Sequence, residues 1–393
     1  MKQGHRVTVI TCAPNFPKGR VFDGYKNNLW STSTLDGIDV IRVWTFISAN
    51  SGFLLRTIDY ASFLLSALPA ALLVRSVDVI VATSPQLFTP CAGLVAAFLK
   101  RRPFVFELRD LWPASIQAVG AAKSPRLLKC LEALELFLYR SSTHIVSVTQ
   151  AFRENLAERG ILRDKISVVM NGVNLSRFKP QTRDAPLVRK LCLEGRTVVG
   201  YVGTIGMAHG LGTVLDAAAI LQNDPRSDNV TFLFLGDGAE KEALRAEAEF
   251  KSIKNVLFLD TVSREEIPRY WSLLDIAIIH LKDVPLFRTV IPSKLFECMA
   301  MGIPVLHGVR GESAELVERE GFGLLFEPEN AFSLSERLFE LLADAPLRAR
   351  LAARAIEAVP RHNRTAPAQR MLDTLVRLHF DAKPSSAHIT QSR

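Results

Sequence analysis

Short apolar runs alternate with amphipathic stretches through most of this chain, and the alternation occurs in two successive series. Such alternation is typical of parallel sheets that are covered by helices on both faces. The first series of predicted strands covers residues 7–10, 39–42, 79–82, 104–107, 144–148 and 166–169, and the second covers 198–202, 231–235, 256–259, 276–279 and 304–306. The pattern predicts an α/β fold with two doubly wound sheets.

The length of the chain favours two domains, because 393 residues exceed the roughly 250–300 at which one hydrophobic core stops growing. The polar stretch 178–186 has the composition of a linker. We therefore expect a Rossmann-like domain over residues 1–180, a second over 181–380 and a flexible tail over 381–393. Open sheets of this kind bind ligands outside the carboxyl ends of their strands, so we expect the site in a cleft that both domains face.

Charge and cysteine content narrow the function. The five cysteines are scattered without metal-ligand spacing, which argues against a disulfide framework or a zinc site and favours the cytoplasm. A net charge of +8 suits nucleic acid, a membrane surface or an anionic small substrate. The sequence contains no RNP-type or helix-turn-helix pattern, so we expect no nucleic acid partner and favour a membrane surface.

The segment 53–74 is unusually apolar for the first domain. Its apolar core is shorter than the roughly 20 residues that span a bilayer, so we do not expect a transmembrane helix. Two interpretations remain open. The segment is a buried helix of the first sheet, or it forms an interfacial surface near a lipid acceptor together with Lys100, Arg101 and Arg102.

The most informative segment is 291–305. Pro292 suits a first helical turn and Gly302 suits the position just past a helix end, which predicts a short helix leading into a strand. Ser293, Lys294 and Glu297 would then share one face. The free amides of the first turn and Lys294 suit a diphosphate, and Glu297 can accept hydrogen bonds from a ribose diol. The alternatives are a solvated lysine and a capping glutamate, but the spacing from Ser293 to Glu297 does not complete a capping box.

This segment resembles the second half of the E-x7-E signature of glycosyltransferase family 4, followed by its M-A-x-G-x-P-V strand. Segments 4–11, 171–174, 203–210 and 235–238 resemble the same family. The resemblance implies a retaining transferase of the two-domain GT-B type that uses a nucleotide sugar, with UDP as the expected carrier. The residues expected to bind the donor are Gly203, Gly206, His209, Gly236, Gly238, Ser293, Lys294 and Glu297.

Two departures from the family pattern affect the donor site. Thr289 stands where the signature has its leading glutamate, the residue that usually contacts the donor sugar. Thr204 and His209 stand where many relatives carry an arginine and a lysine. Lys294, the helix amides and the amides of residues 203–206 would therefore bear the phosphate charge. His209 is either a hydrogen-bond donor to phosphate or a packed loop histidine.

Asp110 and Glu297 are the expected catalytic residues. Asp110 follows the predicted strand 104–107 and stands in the H-D-like position of the family. Its carboxylate is suited to receive the proton of the acceptor hydroxyl or to stabilise an oxocarbenium-like transition state. The alternative is an Arg109–Asp110 pair or a turn cap, with Trp112 buried beside it.

The departures, together with segments 14–19, 107–113 and 292–294, resemble transferases of bacterial O-antigen and capsule assembly, including N-acetyl-L-fucosamine transferases. That branch implies a glycan or polyprenyl-diphosphate-linked acceptor and a peripheral position on the cytoplasmic face of the membrane. GT-B relatives rely on helix dipoles and basic side chains, so we expect no metal and no cofactor. The family also has a strand and a glycine-rich loop ahead of the segment that is 4–11 here, so we expect a truncated first sheet.

Three functions fit these observations. The first is an active sugar transferase in surface polysaccharide biosynthesis. The second is a non-catalytic homologue that binds a nucleotide sugar or pairs with another subunit, which the Thr289 departure makes plausible. The third is a nucleotide-sugar epimerase of the same fold, although no set of carboxylates and histidines for that reaction can be placed.

Overall fold

The computed structural model describes residues 3–15, 19–48, 53–118, 120 and 124–381. They form two compact units. The described residues up to Val148, Phe152–Val169 and those from Gln369 onward make the first unit, and Thr149–Ala151 with Met170–Ala368 make the second. The predicted tail 381–393 lies outside the described residues except for Asp381.

Among the described residues, the chain up to Val169 contains two sheets and five helices. Strands β1 (Thr8–Thr11), β2 (Trp30–Leu35) and β3 (Ile38–Val43) form a sheet of order β1-β3-β2, in which β2 is antiparallel. Strands β4 (Ile80–Thr83), β5 (Phe104–Leu108), β6 (His144–Ser147) and β7 (Ile166–Val168) form a parallel sheet in chain order. The helices are α1 (Phe53–Leu73), α2 (Phe88–Lys100), α3 (Ala114–Ala118), α4 (Pro125–Ser141) and α5 (Gln150–Glu158), and a 3-10 turn covers Arg163–Lys165.

Helices α1 and α2 link the two sheets of the first unit. Helix α1 packs on β1 and β3, helix α2 packs on β4 and β5, and the two helices pack on each other. Within the described residues, β1 pairs with β3 alone and β4 pairs with β5 alone. The first series of strands, which was predicted to form one sheet, therefore forms two sheets. One edge of β1 and one edge of β4 have no partner strand in the described part of the chain.

The second unit is a single six-stranded parallel sheet of order β10-β9-β8-β11-β12-β13. Its strands are β8 (Thr197–Val202), β9 (Val230–Leu235), β10 (Val256–Leu259), β11 (Ile276–His280), β12 (Val305–Gly308) and β13 (Gly323–Leu325). Its helices are α6 (Ala185–Lys190), α7 (Gly212–Leu221), α8 (Lys241–Phe250), α9 (Ile267–Trp271), α10 (Lys294–Met301), α11 (Glu312–Glu320), α12 (Ala331–Ala343) and α13 (Ala345–Ala358), with 3-10 turns at Pro225–Ser227, Pro285–Thr289 and Val359–His362. Buried side chains of β8, β9 and β11 pack with α7 and α12 in one core cluster.

The last helix, α14 (Thr365–Asp381), does not belong wholly to the domain that was predicted to contain it. Its residues from Gln369 onward belong to the first unit, whereas the prediction placed residues up to 380 in the second domain. Met371, Leu375 and Leu378 follow helical spacing and pack with Val105 and Val146 of the four-stranded sheet. Burial of this apolar stripe explains why the helix belongs to the first unit.

Candidate functional site

Helix α10 begins at Lys294 and ends at Met301, and it is followed by Gly302, whose φ of 69° is the left-handed conformation typical of the position after a helix. Leu295, Phe296 and the run from Cys298 to Met301 are buried. Ser293 is exposed, and Lys294 and Glu297 are partly buried. The helix therefore has one face in the core and presents the predicted polar residues on another, as their spacing indicates.

Lys294 is held by an aromatic residue and not by a carboxylate. Its Nζ donates a hydrogen bond of 2.5 Å to the hydroxyl of Tyr201 and lies 4.1 Å from the centroid of the same ring. Among the described residues, no aspartate or glutamate forms a salt bridge with it. Burial lowers the pKa of Lys294 to about 7. The charge of Glu297 on the same helix partly offsets this effect without forming a salt bridge, so the Lys294 ammonium has no directly paired carboxylate and is suited to bind an anion.

Glu297 is oriented by Trp271, the last residue of α9. The indole Nε1 donates a hydrogen bond of 3.0 Å to Oε2 of Glu297, and Trp271 is fully buried. Burial raises the pKa of Glu297, while the hydrogen bond from Trp271 and the charge of Lys294 lower it. Trp271 therefore fixes one carboxylate oxygen and leaves Oε1 for a ligand.

Two glycine loops follow β8 and β9 and contact each other through the main chain. The Gly203 amide donates to the Leu235 carbonyl at 2.8 Å, and the Ile205 amide donates to the Asp237 carbonyl at 2.9 Å. A Cβ on Gly236 would lie 1.9 Å from the Gly203 carbonyl oxygen, and one on Gly238 would lie 2.2 Å from that of Ile205. Both glycines are therefore required by this packing whether or not a ligand is present.

Gly203 and Gly206 differ in what surrounds them. A Cβ on Gly203 would lie 2.2 Å from Cε of Lys294, so this glycine leaves the room that the lysine occupies. A Cβ on Gly206 would meet nothing closer than 3.5 Å.

This difference gives a prediction with an internal control. We expect Gly203→Ala to lower the free energy of unfolding by about 1–3 kcal/mol, since the φ of Gly203 is 137° and the new methyl group displaces Lys294. Gly206→Ala should change it by less than about 1 kcal/mol. Urea denaturation of both variants measures the difference, and equal effects would contradict the crowding at Gly203.

Lys241 connects the ends of two neighbouring strands. Its buried Nζ donates to the carbonyls of Gly236 at 2.9 Å and Leu259 at 3.0 Å and to Oδ1 of Asp260 at 2.6 Å. It thereby supports the loop that carries Gly236 and Gly238. A lysine at the start of a helix gives no local signal of this role, so the role could not be predicted from the sequence.

His209 lies in the glycine loop after β8. Its Nδ1 is 3.3 Å from the Gly206 carbonyl oxygen, and its ring packs edge-on against Tyr201 at 5.7 Å between centroids. Burial lowers its pKa to about 3, so the ring is neutral at physiological pH. A neutral ring that donates from Nδ1 to Gly206 has an acceptor at Nε2, which favours the packed-loop interpretation. A hydrogen bond from His209 to phosphate stays a prediction.

Asp110 lies just after β5 in the first unit, apart in the chain from the other predicted site residues. Its carboxylate accepts hydrogen bonds from the Ser115 hydroxyl and the Leu111 amide, and burial raises its pKa to about 6. The amides of Arg109 and Asp110 donate to Oγ of Ser84 at 2.9 and 3.2 Å. The Arg109 side chain is exposed, and no salt bridge joins it to Asp110 in the described part of the chain. Of the alternatives considered, the turn cap is formed and the ion pair is not.

No group of three or more histidine, cysteine, aspartate or glutamate side chains is placed to hold a metal ion among the described residues. Lys294, the start of α10 and the two glycine loops lie at the carboxyl ends of the strands of the second unit, where they are suited to bind an anion. Glycine loops and a helix start at that end of a parallel sheet define a nucleotide-binding α/β unit.

Comparison with known families defines the protein further. Residues 1–172 match the family described as Glycosyl transferase 4-like domain, and residues 188–358 match the family described as Glycosyl transferases group 1. The protein is a glycosyltransferase in which a match to the first of these families is followed along the chain by a match to the second.

Relatives and solved structures agree with this assignment. The chain is 24% identical over 345 residues to WcaI of Escherichia coli (strain K12), a glycosyl transferase assigned to colanic acid biosynthesis, and the match covers 84% of this chain and 83% of WcaI. Its fold is similar to that of Anabaena HepE in complex with UDP and glucose, with a TM-score of 0.72, 20% identity and coverage of 95% of this chain and 100% of HepE. It is also similar to WaaG, a glycosyltransferase involved in lipopolysaccharide biosynthesis, with a TM-score of 0.65, 16% identity and coverage of 95% and 92%. The predicted α/β fold of the GT-B type is confirmed.

Proposed function

We propose that this glycosyltransferase moves a sugar, with retention of configuration, from a UDP-linked donor to a glycan or polyprenyl-diphosphate-linked acceptor in surface polysaccharide biosynthesis. The observation that carries the proposal is Lys294, which forms no salt bridge among the described residues, beside Glu297 on α10 and next to the loop that begins at Gly203. A structural neighbour that binds UDP and glucose supports the choice of donor. The resemblance of residues 107–113 and 292–294 to N-acetyl-L-fucosamine transferases supports an acetamido sugar as the transferred group.

Each site residue has a role in this proposal. Lys294, the amides of Ser293 and Lys294 at the start of α10 and the amides of Thr204 and Gly206 bind the diphosphate. The Gly203 and Ile205 amides are already used in main-chain hydrogen bonds to Leu235 and Asp237. Glu297, oriented by Trp271, accepts hydrogen bonds from the ribose diol. Asp110 receives the proton of the acceptor hydroxyl or stabilises the positive charge that develops on the sugar.

We propose that the reaction needs no divalent metal, because Lys294 and oriented amides provide the counter-charge for the leaving diphosphate. The test is turnover after dialysis against a strong chelator. Activity that disappears on chelation and returns with magnesium or manganese would contradict this part of the proposal.

A panel of nucleotide sugars, incubated with the full chain with and without a polyprenyl-diphosphate-linked acceptor, distinguishes the three functions. Transfer of label to the lipid only when acceptor is present supports the sugar transferase. Binding without turnover supports the non-catalytic homologue. Conversion of the donor to its epimer without acceptor supports the epimerase, and either of the last two results overturns the proposal.

The ends of α1 and α2 support a membrane-surface position. Lys100 donates to the carbonyls of Leu72 at 2.9 Å and Val74 at 2.8 Å, which brings the carboxyl ends of the two helices together. Leu73 and Phe98 are 69% and 79% exposed there, and Arg101 is exposed beside them. The same helix α1 buries Phe63, Ala67 and Ala70, so the segment 53–74 has both a buried and an exposed face. Among the described residues, no helix is both long enough and apolar enough to cross a membrane.

We call Leu72, Leu73, Phe98 and Leu99 the α1/α2 tip. We expect the variant Phe98→Ser with Leu99→Ser to bind vesicles containing anionic lipid at least about tenfold more weakly, because two large apolar side chains no longer enter the interface. Phe250→Ser is the matched control, since Phe250 is 89% exposed on the second unit. Co-sedimentation measures both, and an equal loss in the control variant would contradict a membrane role for the α1/α2 tip.

The open strand edges bear on the expected truncation of the first sheet. We propose that one further parallel strand fits between β1 and β4, beneath the packed pair α1 and α2. Both edge strands expose apolar side chains, since Val9 of β1 and Val81 of β4 are each 40% exposed, and a strand between them would cover these side chains and pair the two edges. Protease resistance of the first unit should rise in a form of the protein that carries an additional strand and glycine loop ahead of β1, and unchanged resistance would contradict the proposal.

A further inference from the structure

Tyr201 occupies a central place in the donor site that neither its sequence position nor the family resemblance assigns. It lies in β8 two residues before Gly203, and its side chain is only 1% exposed. Its hydroxyl and its ring both contact Lys294, at 2.5 Å from Nζ and 4.1 Å from Nζ to the ring centroid. The ammonium group is therefore placed by one residue through two different interactions.

The hydrogen bonds of Tyr201 have a defined direction. Its hydroxyl donates to the carbonyl oxygen of Thr204 at 2.6 Å, so the single phenolic hydrogen is used within the glycine loop. The oxygen is then left as an acceptor toward Lys294. The chain of contacts runs from α10 through Lys294 and Tyr201 to Thr204, and it ties the lysine to the loop that begins at Gly203.

Space around the lysine is also limited. The missing side chain of Gly203 leaves the room for Cε of Lys294, and His209 packs edge-on against the Tyr201 ring. Lys294 is thus confined between a glycine and an aromatic ring. A lysine that was free to change rotamer would have to be ordered when an anion binds, and that loss of entropy would weaken the affinity for the anion.

We propose that Tyr201 is a positioning residue that holds the Lys294 ammonium for the diphosphate of the donor; this inference rests on the proposed role of Lys294. Tyr201 does not contact the diphosphate itself. Its contribution is orientation, and it should therefore matter for ligands that carry a diphosphate and not for those that lack one.

The test compares UDP with uridine, which has the same base and ribose but no phosphate. We expect Tyr201→Phe, which keeps the ring and removes the acceptor, to weaken UDP binding about tenfold and to change uridine binding less than twofold. Titration calorimetry measures UDP, and ligand-observed NMR measures uridine, both on the full chain. Tyr139→Phe is the control, because it removes a buried tyrosine hydroxyl from the first unit.

A double-variant cycle separates this inference from the proposed function. In the Lys294→Met background, Tyr201→Phe should have no further effect on UDP binding, since the residue acts through the lysine. Equal weakening of UDP and uridine, no weakening of UDP, or full additivity with Lys294→Met would overturn the role of Tyr201. Unchanged UDP binding in Lys294→Met alone would instead overturn the proposed role of the lysine.

The unfolding temperature of Tyr201→Phe verifies that the variant is folded. If it is not, incorporation of 3-fluorotyrosine at position 201 weakens the hydroxyl as an acceptor with little change in size. The same selective loss of UDP binding is then expected, and unchanged UDP binding would overturn the inference.

Discussion

Lys294→Met is expected to weaken nucleotide-sugar binding by about tenfold to a hundredfold, which corresponds to one charge-assisted interaction. The same variant is expected to be more stable than the natural protein by about 1–2 kcal/mol at pH 6. The reason for both effects is the burial that lowers the pKa of Lys294 to about 7. A charged amine in this position costs free energy in the folded protein, and a donor diphosphate offsets that cost.

The sign of the pH dependence follows from the same shift. Between about pH 7 and the ordinary lysine pKa of 10.5, the unfolded chain binds more protons at this residue, so the stability of the natural protein rises with pH across that window. Donor affinity should fall over the same window, because binding must then be accompanied by protonation of Lys294. His209 does not interfere, since its pKa is about 3.

Calorimetric unfolding and titration with a nucleotide sugar, whose diphosphate does not titrate in this range, measure both effects. Lys254→Met is the matched control, because Lys254 is an exposed lysine of the same unit. Natural affinity in Lys294→Met, or a variant less stable than the control, would contradict the assignment of Lys294 to the diphosphate.

Asp110→Asn is expected to lower kcat by about 100- to 10,000-fold, the range for loss of a general base. Donor binding should be unchanged, because the proposed donor-binding groups all lie in the second unit.

Burial raises the pKa of Asp110 to about 6, and a base must be ionised, so kcat/KM of the natural protein should rise with pH through about 6. Since the folded protein binds the extra proton between pH 4 and 6, Asp110 lowers folding stability as pH rises through that range, and the asparagine variant should lose this dependence.

Steady-state transfer assays across pH measure this prediction. Asp164→Asn is the control, since Asp164 is an exposed aspartate of the same unit. If Asp110→Asn retains natural kcat, the carboxylate is a turn cap and nothing more. If Asp110→Asn loses kcat and also unfolds more easily than the control, kcat is measured on the fraction of the variant that is correctly folded. A loss of kcat in that fraction indicates a catalytic role, and natural kcat in that fraction indicates a turn cap alone.

The fold was largely predictable because buried strands and helices have characteristic patterns of apolar residues in the local sequence. Every predicted strand is present within two residues of its expected ends, since apolar runs and their intervals are properties of neighbouring residues. Strand β2 was missed because Trp30–Leu35 is polar and largely exposed, and its pairing is determined by β3. Strand β13 was also missed, because it begins at a glycine and none of its three residues is fully buried. The apolar stripe of α14 is visible in the sequence, but the sheet that it covers depends on the tertiary fold.

The site was predictable in part for the same reason. The face of α10 follows from helical spacing, which converts sequence intervals into directions. The residues that contact that face cannot be predicted from helical spacing, because Tyr201 is 93 residues from Lys294 and Trp271 is 26 residues from Glu297 in the chain. No local rule selects one aromatic residue among many for such a contact. Lys241 was missed in the same way.

The main-chain contact between the two glycine loops has a consequence for redirecting the enzyme toward other donors. A library that varies Gly236 or Gly238 would consist mostly of misfolded members, because any side chain there meets backbone within 2.2 Å, and variants of Gly203 would displace Lys294. Thr204 is exposed, and Thr289 uses its hydroxyl on the Leu286 carbonyl of its own turn. Directed evolution of sugar preference should therefore concentrate its diversity on these two threonines and leave the glycines constant.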